Sequence, residues 1–299
     1  MIEFSTVSRW HGDVIALNDL TANIAPGVTT VLGPNGSGKS SLLRLTVGLL
    51  RPNQGTVRVF EENPWDNPRL LRRIGYVPEG PSPWPQRTGR DCVQRAAELS
   101  GLGAGSAAAA SRALRDVGLQ AEADRATGAY SHGMTQRLKL AMAWVHEPEV
   151  LVLDEPLVGT DPVARADLLA AMAEQARQGR TLLVATHVLA DVDTMGGNIL
   201  LLNHGRLVAH GPVPEIRELL DQAPRTIRIT TPDPKALGRT MWDWPSVLSL
   251  EADTQSVTVR TRMPSAFHAE LQRLGASGGV TSITSPDDSV EAVVQHLVK

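Results

Sequence analysis

Eight consecutive residues, Gly33-Pro34-Asn35-Gly36-Ser37-Gly38-Lys39-Ser40, fit the pattern G-x-x-x-x-G-K-[ST]. Residues of these types at this spacing can hold a chain of phosphates. The glycines let the backbone curl until successive N–H groups face one anion. A helix starting where the loop ends adds the positive end of its dipole. Lys39 can bridge the β- and γ-phosphates, the Ser40 hydroxyl can ligate Mg²⁺, and Ser41 is next on the same helix.

Two further groups of residues suit the same chemistry. Asp154-Glu155 closes the apolar run Val150-Leu151-Val152-Leu153. Alone, such an acidic pair reads as a solvated turn. Beside a phosphate loop, Asp154 stands where a Mg²⁺-binding acid belongs, and Glu155 can orient and activate an attacking water. His187 follows a second apolar run, Thr181 to Thr186. A lone histidine at a strand end is ordinarily structural, yet here a donor would reach the γ-phosphate.

The elements that must position these residues are also readable. Val28-Thr29-Thr30-Val31-Leu32 is a β-branched run leading into the glycine loop. Leu42, Leu45 and Leu49 recur at helical spacing and predict a helix over 40–50. The runs 150–153 and 181–185 suit parallel strands covered on both faces, and 199–202 is another core strand. Between the first two, Asp161 is a natural N-cap, Pro162 fits the first helical position, and Gly179 ends the helix. Residues 56–78 read as strands and turns, 79–90 as a Pro-rich loop, and 91–146 as mostly helical.

In this order the motifs resemble the nucleotide-binding subunit of ABC transporters, across about residues 3–220. Leu153-Asp154-Glu155-Pro156 resembles that family's Walker B and catalytic glutamate, Asp161-Pro162 its D-loop, and Thr186-His187 its switch histidine. Ser131-His132-Gly133-Met134-Thr135-Gln136-Arg137 resembles the LSGGQ signature, which other phosphate-loop ATPases lack. Three motifs depart from the family pattern. Glu79 stands where many members carry the Q-loop glutamine, and His132 and Met134 replace signature residues. His11, beside Trp10, occupies the place of the tyrosine that stacks on adenine.

The resemblance implies a phosphate-loop α/β core, an antiparallel strand layer and a helical subdomain over about 80–135. It implies ATP and Mg²⁺ as cofactors, with Ser40, Asp154 and Glu79 toward the metal. Two such domains would sandwich two ATP molecules head to tail. Ser131, Gly133 and Met134 of one copy would then face the γ-phosphate held by Lys39 of the other, with Asp161 coupling the two sites. The signature would open a helix over 136–146, whose dipole favours the phosphate. Partners are a second ATPase subunit and a transmembrane permease, touched by the subdomain and the Pro81–Pro85 loop with Trp84. The variants at the Q-loop and signature resemble the exporter branch, which tends to carry a small domain after the ATPase.

Composition shifts near residue 221, and the pattern beyond it reads βαββαβ with a last helix, a small α+β domain of ferredoxin-like type over 221–299. Thr226 to Thr230 and Val257 to Thr261 alternate as strands do, and about 234–242 and 264–274 read as helices. The Trp242 and Trp244 pair reads as core packing. An importer with a tail would more often carry a longer all-β one. An ATPase acting on nucleic acid or the ribosome would have two ATPase domains or a long coiled-coil insertion, and neither is present.

Bulk composition sets outer bounds. Of the 299 residues, 42% are hydrophobic and 20% charged, so a packed core is expected rather than disorder. A formal net charge of -3 without a dense basic run disfavours nucleic acid. The single cysteine, Cys92, excludes an intrachain disulfide and reads as a small semi-apolar helix residue. The N-terminus lacks the basic-then-apolar pattern of a signal peptide. No apolar run approaches the roughly 20 residues that cross a bilayer. The expected location is the cytoplasmic face of the cell membrane, held through the permease.

Overall fold

The computed structural model of the chain describes residues 1–80, 84–216, 225–274 and 279–284. It divides into two compact units, Met1–Val213 and Pro214–Lys299.

In the first unit the chain runs β1 (Ile2–His11), β2 (Val14–Ile24), β3 (Val28–Leu32), α1 (Lys39–Thr46), β4 (Gln54–Val59), α2 (Pro68–Leu71) and β5 (Ile74–Val77). It continues α3 (Gly89–Leu99), α4 (Ser106–Asp116), α5 (His132–Trp144), β6 (Val150–Asp154), α6 (Pro162–Arg177), β7 (Thr181–Thr186), α7 (Leu189–Met195), β8 (Asn198–Asn203) and β9 (Arg206–Pro212). Six strands form a sheet in the order β5-β6-β7-β3-β8-β9. The first five are parallel, and β9 joins antiparallel to β8. A second sheet, β2-β1-β4, is antiparallel.

The continuous apolar runs are explained by burial on both faces. Every residue of β6 and β7 is buried. Alternate residues of β6 enter different cores, as strand geometry requires. Leu151 and Leu153 pack with Leu138, Leu140 and Trp144 of α5 and with residues of α3 and α4. Val150 and Val152 pack with Leu42, Leu43 and Leu45 of α1 and with Phe4 and Leu20 of the antiparallel sheet. The large sheet thus lies between a helical layer and an antiparallel layer, the α/β arrangement expected.

Three local readings differ from expectation. Within 56–78, Asn67 caps Pro68 by accepting the Leu70 N–H at 3.1 Å, so a short helix forms inside a stretch read as strands and turns. The phosphate-loop helix begins at Lys39 and ends at Thr46, because Gly48 takes a positive φ of 66°. Ser131 accepts the Met134 N–H at 3.3 Å and starts α5 at His132, four residues before the expected 136. Cys92 is buried in α3, where burial pushes its thiol up.

The second unit runs β10 (Arg225–Thr230), α8 (Pro234–Met241), β11 (Ser249–Ala252), β12 (Ser256–Thr261), α9 (Pro264–Leu274) and β13 (Ser282–Thr284). Its sheet, β11-β12-β10-β13, is antiparallel throughout, the strand order of a ferredoxin-like fold. Ile227, Ile229, Val257 and Val259 alternate inward against Leu237, Met241 and Phe267 of the helices. Trp244 joins that core, 5.6 Å from the Phe267 ring. Trp242 does not: it follows α8 at the edge strand β11, where it lines a surface cavity with Leu250 and Ala252 and is 67% exposed. The expected last helix lies outside the described residues.

Candidate functional site

The parallel strands bring three distant segments together. In register, Leu32 of β3 lies beside Thr186 of β7, and Asp154 of β6 beside Ala185. The phosphate loop, the acidic pair and His187 therefore leave the sheet at one edge, the carboxyl ends of neighbouring strands. In open α/β sheets this is where ligands bind.

The loop is shaped by its glycines. Gly36 and Gly38 have φ of 78° and 104°, in the left-handed region that favours glycine. A Cβ on Gly38 would stand 2.3 Å from the Ala16 carbonyl oxygen. The Pro34 carbonyl accepts the Ser37 N–H at 3.2 Å, and the Ser37 carbonyl accepts the Gly205 N–H at 3.0 Å, which pins the loop to the turn before β9. Lys39 is folded beneath it, 6% exposed. Its ammonium donates to the Gly33 and Pro34 carbonyls at 2.8 and 3.1 Å and lies 3.5 Å from a Glu155 oxygen.

Glu155 carries the local strain. Its φ is 49°, uncommon for a residue with a side chain, and its N–H donates to the Ala185 carbonyl at 3.1 Å. That turn swings the carboxylate to where Lys39 and His187 meet it. His187 Nδ1 lies 3.1 Å from both Glu155 oxygens. A carboxylate only accepts, so Nδ1 carries the proton and Nε2 is left for a ligand. The His187 turn is braced from below. Thr186 Oγ1 accepts the Val188 N–H and donates to buried Asp191, each at 3.1 Å, and Asp191 is also paired with Arg165 of α6.

Asp154 is fully buried. Oδ1 accepts from the Ser40 hydroxyl at 3.2 Å, whereas Oδ2 has no partner. Burial pushes its carboxyl above the ordinary carboxylate range; the Ser40 hydrogen bond opposes this, and the charges of Glu79 and Glu155 add to it. A hydroxyl and a carboxylate oxygen left unpaired inside a negative cluster fit a small divalent cation. Among the described residues no cluster of His, Cys, Asp or Glu forms a cage on its own. That suits Mg²⁺, which usually takes one or two carboxylates and completes its shell with phosphates and water.

Asn35, Gly36, Gly38, Lys39, Ser40, Ser41, Glu79, Glu155 and His187 line one cavity of about 540 Å³. Val14, Ile15, Ala16 and Val158 line it too, and sequence reasoning did not single them out. Val14 and Ile15 are 68% and 57% exposed at the tip of the β1–β2 hairpin. Their alternation reads as an ordinary strand, and only tertiary packing sets that tip beside the loop. His11 is not among the lining residues. It pairs in register with Val14, and its Nδ1 lies 3.4 Å from the Arg9 guanidinium.

The signature and D-loop residues are also outside that cavity. Ser131 caps α5, and Asp161 caps α6, accepting the Val163 and Ala164 N–H groups at 3.0 Å. Gly133 is buried where α5 meets α6, with room for no Cβ: one would stand 2.8 Å from that of Ala164. The Met134 side chain packs against the large helical core, so only its backbone N–H serves the cap. Trp84 is likewise half-buried against that core, and Pro81 to Pro83 lie outside the described residues.

The same motifs are found in known proteins. The family described as ABC transporter matches residues 17–158. The bacitracin transport ATP-binding protein BcrA of Bacillus licheniformis is 29% identical over 221 residues, covering 73% of this chain and 72% of that one. The Nod factor export ATP-binding protein I of Burkholderia orbicola (strain AU 1054) is 33% identical over 239 residues, covering 79% of this chain and 78% of that one. A solved ATP binding subunit of an ABC transporter superposes with a TM-score of 0.65 at 28% identity, covering 73% of this chain and 92% of that one. With the loop, the acidic pair and the capped signature helix in place, and this identity across most of both chains, the chain belongs to the ATP-binding subunits of ABC transporters.

Proposed function

We propose that the chain binds Mg-ATP and couples its hydrolysis, at the interface of a dimer, to export of a substrate through a separate membrane permease. One observation carries the dimer reading. Lys39, Ser40, Glu79, Glu155 and His187 surround one cavity, while Ser131, Gly133 and Asp161 sit at the starts of α5 and α6 and do not line it. A single copy thus has half of the contacts that the motifs supply. A second copy, placed head to tail, brings the Ser131 helix start to the γ-phosphate held by Lys39, where its dipole favours the anion.

Each residue then has a task. The loop N–H groups and Lys39 hold the β- and γ-phosphates. Ser40 and Asp154 would hold Mg²⁺, with Glu79 toward it, and the bound ion would supply neutralisation of phosphate charge. Glu155 accepts the proton of the attacking water. His187 Nδ1 steadies Glu155, and the doubly protonated ring would present an Nε2–H to the γ-phosphate. The adenine lies against the exposed Val14 and Ile15, with His11 and Trp10 at the hairpin as flanking rings. The name of one relative, a Nod factor export ATP-binding protein, supports the export direction. Among the described residues no helix is long and apolar enough to cross a membrane, so a permease partner would hold the chain at the cytoplasmic face.

Affinity purification of the tagged chain from detergent-solubilised membranes tests the partner. A co-purifying multi-span protein is expected; recovery of only soluble partners, ribosomes or DNA would sink the transport reading. Gly38→Ala tests the loop. A side chain at φ 104° and 2.3 Å from the Ala16 carbonyl must push the loop open. Strain of about 1–3 kcal/mol predicts ATP affinity lower by roughly 5- to 140-fold, measured by calorimetric titration, and an unchanged Kd would show that the loop does not shape the site.

A further inference from the structure

Lys139 is the buried cation that the hydrolytic scheme leaves unused. It lies on α5, two turns after the Ser131 cap, and is 5% exposed. Lysine is almost never fully buried without a partner. Here the ammonium donates to the Gly80 carbonyl at 3.0 Å, and among the described residues no carboxylate oxygen is close enough to pair with it. Burial pushes its ammonium below the ordinary lysine range, and the charges of Asp154 and Glu79, the metal side of the site, oppose that shift. Gly80 is the residue after Glu79, in a left-handed conformation at φ 109°.

The helix face matters as much as the single bond. His132, Thr135, Gln136 and Lys139 recur at i, i+3, i+4 and i+7, one face of α5. That face, with Glu79, Gly80, Glu155 and Val158 opposite, lines a second cavity of about 800 Å³, although Lys139 itself lies beneath it. At its first turn His132 Nε2 donates to the Val158 carbonyl at 2.6 Å. At its third turn Lys139 holds Gly80. One rigid element therefore grips the segment after Glu155 and the loop after Glu79.

We infer that Lys139 is a positioning residue for hydrolysis, tying the loop that carries Glu79, at this copy's nucleotide, to the helix whose Ser131 cap faces the nucleotide of the other copy. The inference rests on the ATPase reading above. A buried charge suits this task better than a hydrogen bond between neutral groups. Its attraction to Glu79 adds to the Gly80 hydrogen bond in drawing that loop toward α5.

The test compares the full-length parent with Lys139→Met and Lys139→Arg. Lys139→Met keeps the stem and removes donor and charge. Its kcat for Mg-ATP should fall about tenfold, within the range of general positioning effects, while the KM for ATP moves less than about twofold because the phosphate loop is untouched. Amide exchange of the peptide containing Glu79 and Gly80 in the nucleotide-free protein should rise. Its Tm should hold or increase, since an apolar chain replacing an unpaired buried charge is often neutral or stabilising. Lys139→Arg keeps the charge and should recover most of the turnover and protection; it also carries the test if the Met variant fails to fold. Parental kcat with parental exchange overturns the inference, as does a kcat that falls only in step with Tm. A parent that hydrolyses no ATP overturns the ATPase reading instead, and the exchange comparison still decides whether Lys139 holds the loop.

Discussion

Glu155→Gln is expected to bind Mg-ATP with near-parental affinity, to hydrolyse it about 10²–10⁴-fold more slowly, and to accumulate as an ATP-bound dimer. The substitution changes one thing. Glutamine fills the same volume in the turn at φ 49° and leaves Lys39 its bonds to the Gly33 and Pro34 carbonyls, so the phosphate contacts persist. The lost feature is the carboxylate that His187 Nδ1 approaches at 3.1 Å from both oxygens. Without it no group at the end of β6 can take a proton from water, because Asp154 is fully buried with Ser40 on one oxygen. If product release from the closed dimer follows hydrolysis, blocking hydrolysis keeps the dimer shut. Single-turnover kinetics measure the first effect and size-exclusion chromatography in Mg-ATP the second. A variant that stays monomeric in saturating Mg-ATP would count against the sandwich arrangement, and parental turnover would move the base elsewhere.

The parts of this site that were legible in the sequence are those whose chemistry is local. Gly33 to Ser40 follows a strand and opens a helix within one short stretch, so its residue types are explained by their neighbours. The acidic pair was legible because Val150 to Leu153 is apolar without alternation, which only a strand buried on both faces permits. What was not legible depends on contacts between distant segments. Val14 and Ile15 look like any hairpin residues until packing sets them against the loop. His132-Gly133 looks like continuing loop, yet the Ser131 cap turns it into the first turn of α5. Lys139 carries no signal in its own stretch, because the Gly80 carbonyl that receives it is 59 residues away. Trp242 misled for the opposite reason: a large apolar side chain favours the interior on average, but its place after α8 leaves it outside.

Lys39→Met should remove binding and turnover together. The substitution keeps a long chain under the loop, and α1 still rests on buried Leu42, Leu43 and Leu45, so the fold is expected to survive. What disappears is the only ammonium among the described residues that lines the phosphate cavity. A charged hydrogen bond to a phosphate oxygen is worth about 1.5–3 kcal/mol, and Lys39 would make two, one to each of the β- and γ-phosphates. Loss of both lowers ATP affinity by roughly 10²- to 10⁴-fold at about 1.4 kcal/mol per decade. Thermal denaturation with and without nucleotide reads this directly. At a hundredfold excess of Mg-ATP over its Kd, the parent gains about 2.7 kcal/mol of stability; the same concentration should leave Lys39→Met almost unshifted and monomeric. The contrast with Glu155→Gln is the informative result, because one variant binds without turning over and the other does neither. Should Lys39→Met keep the full nucleotide-induced shift, the phosphates are held somewhere other than the Gly33–Ser40 loop, and the assignment of Asp154, Glu155 and His187 around it falls with it.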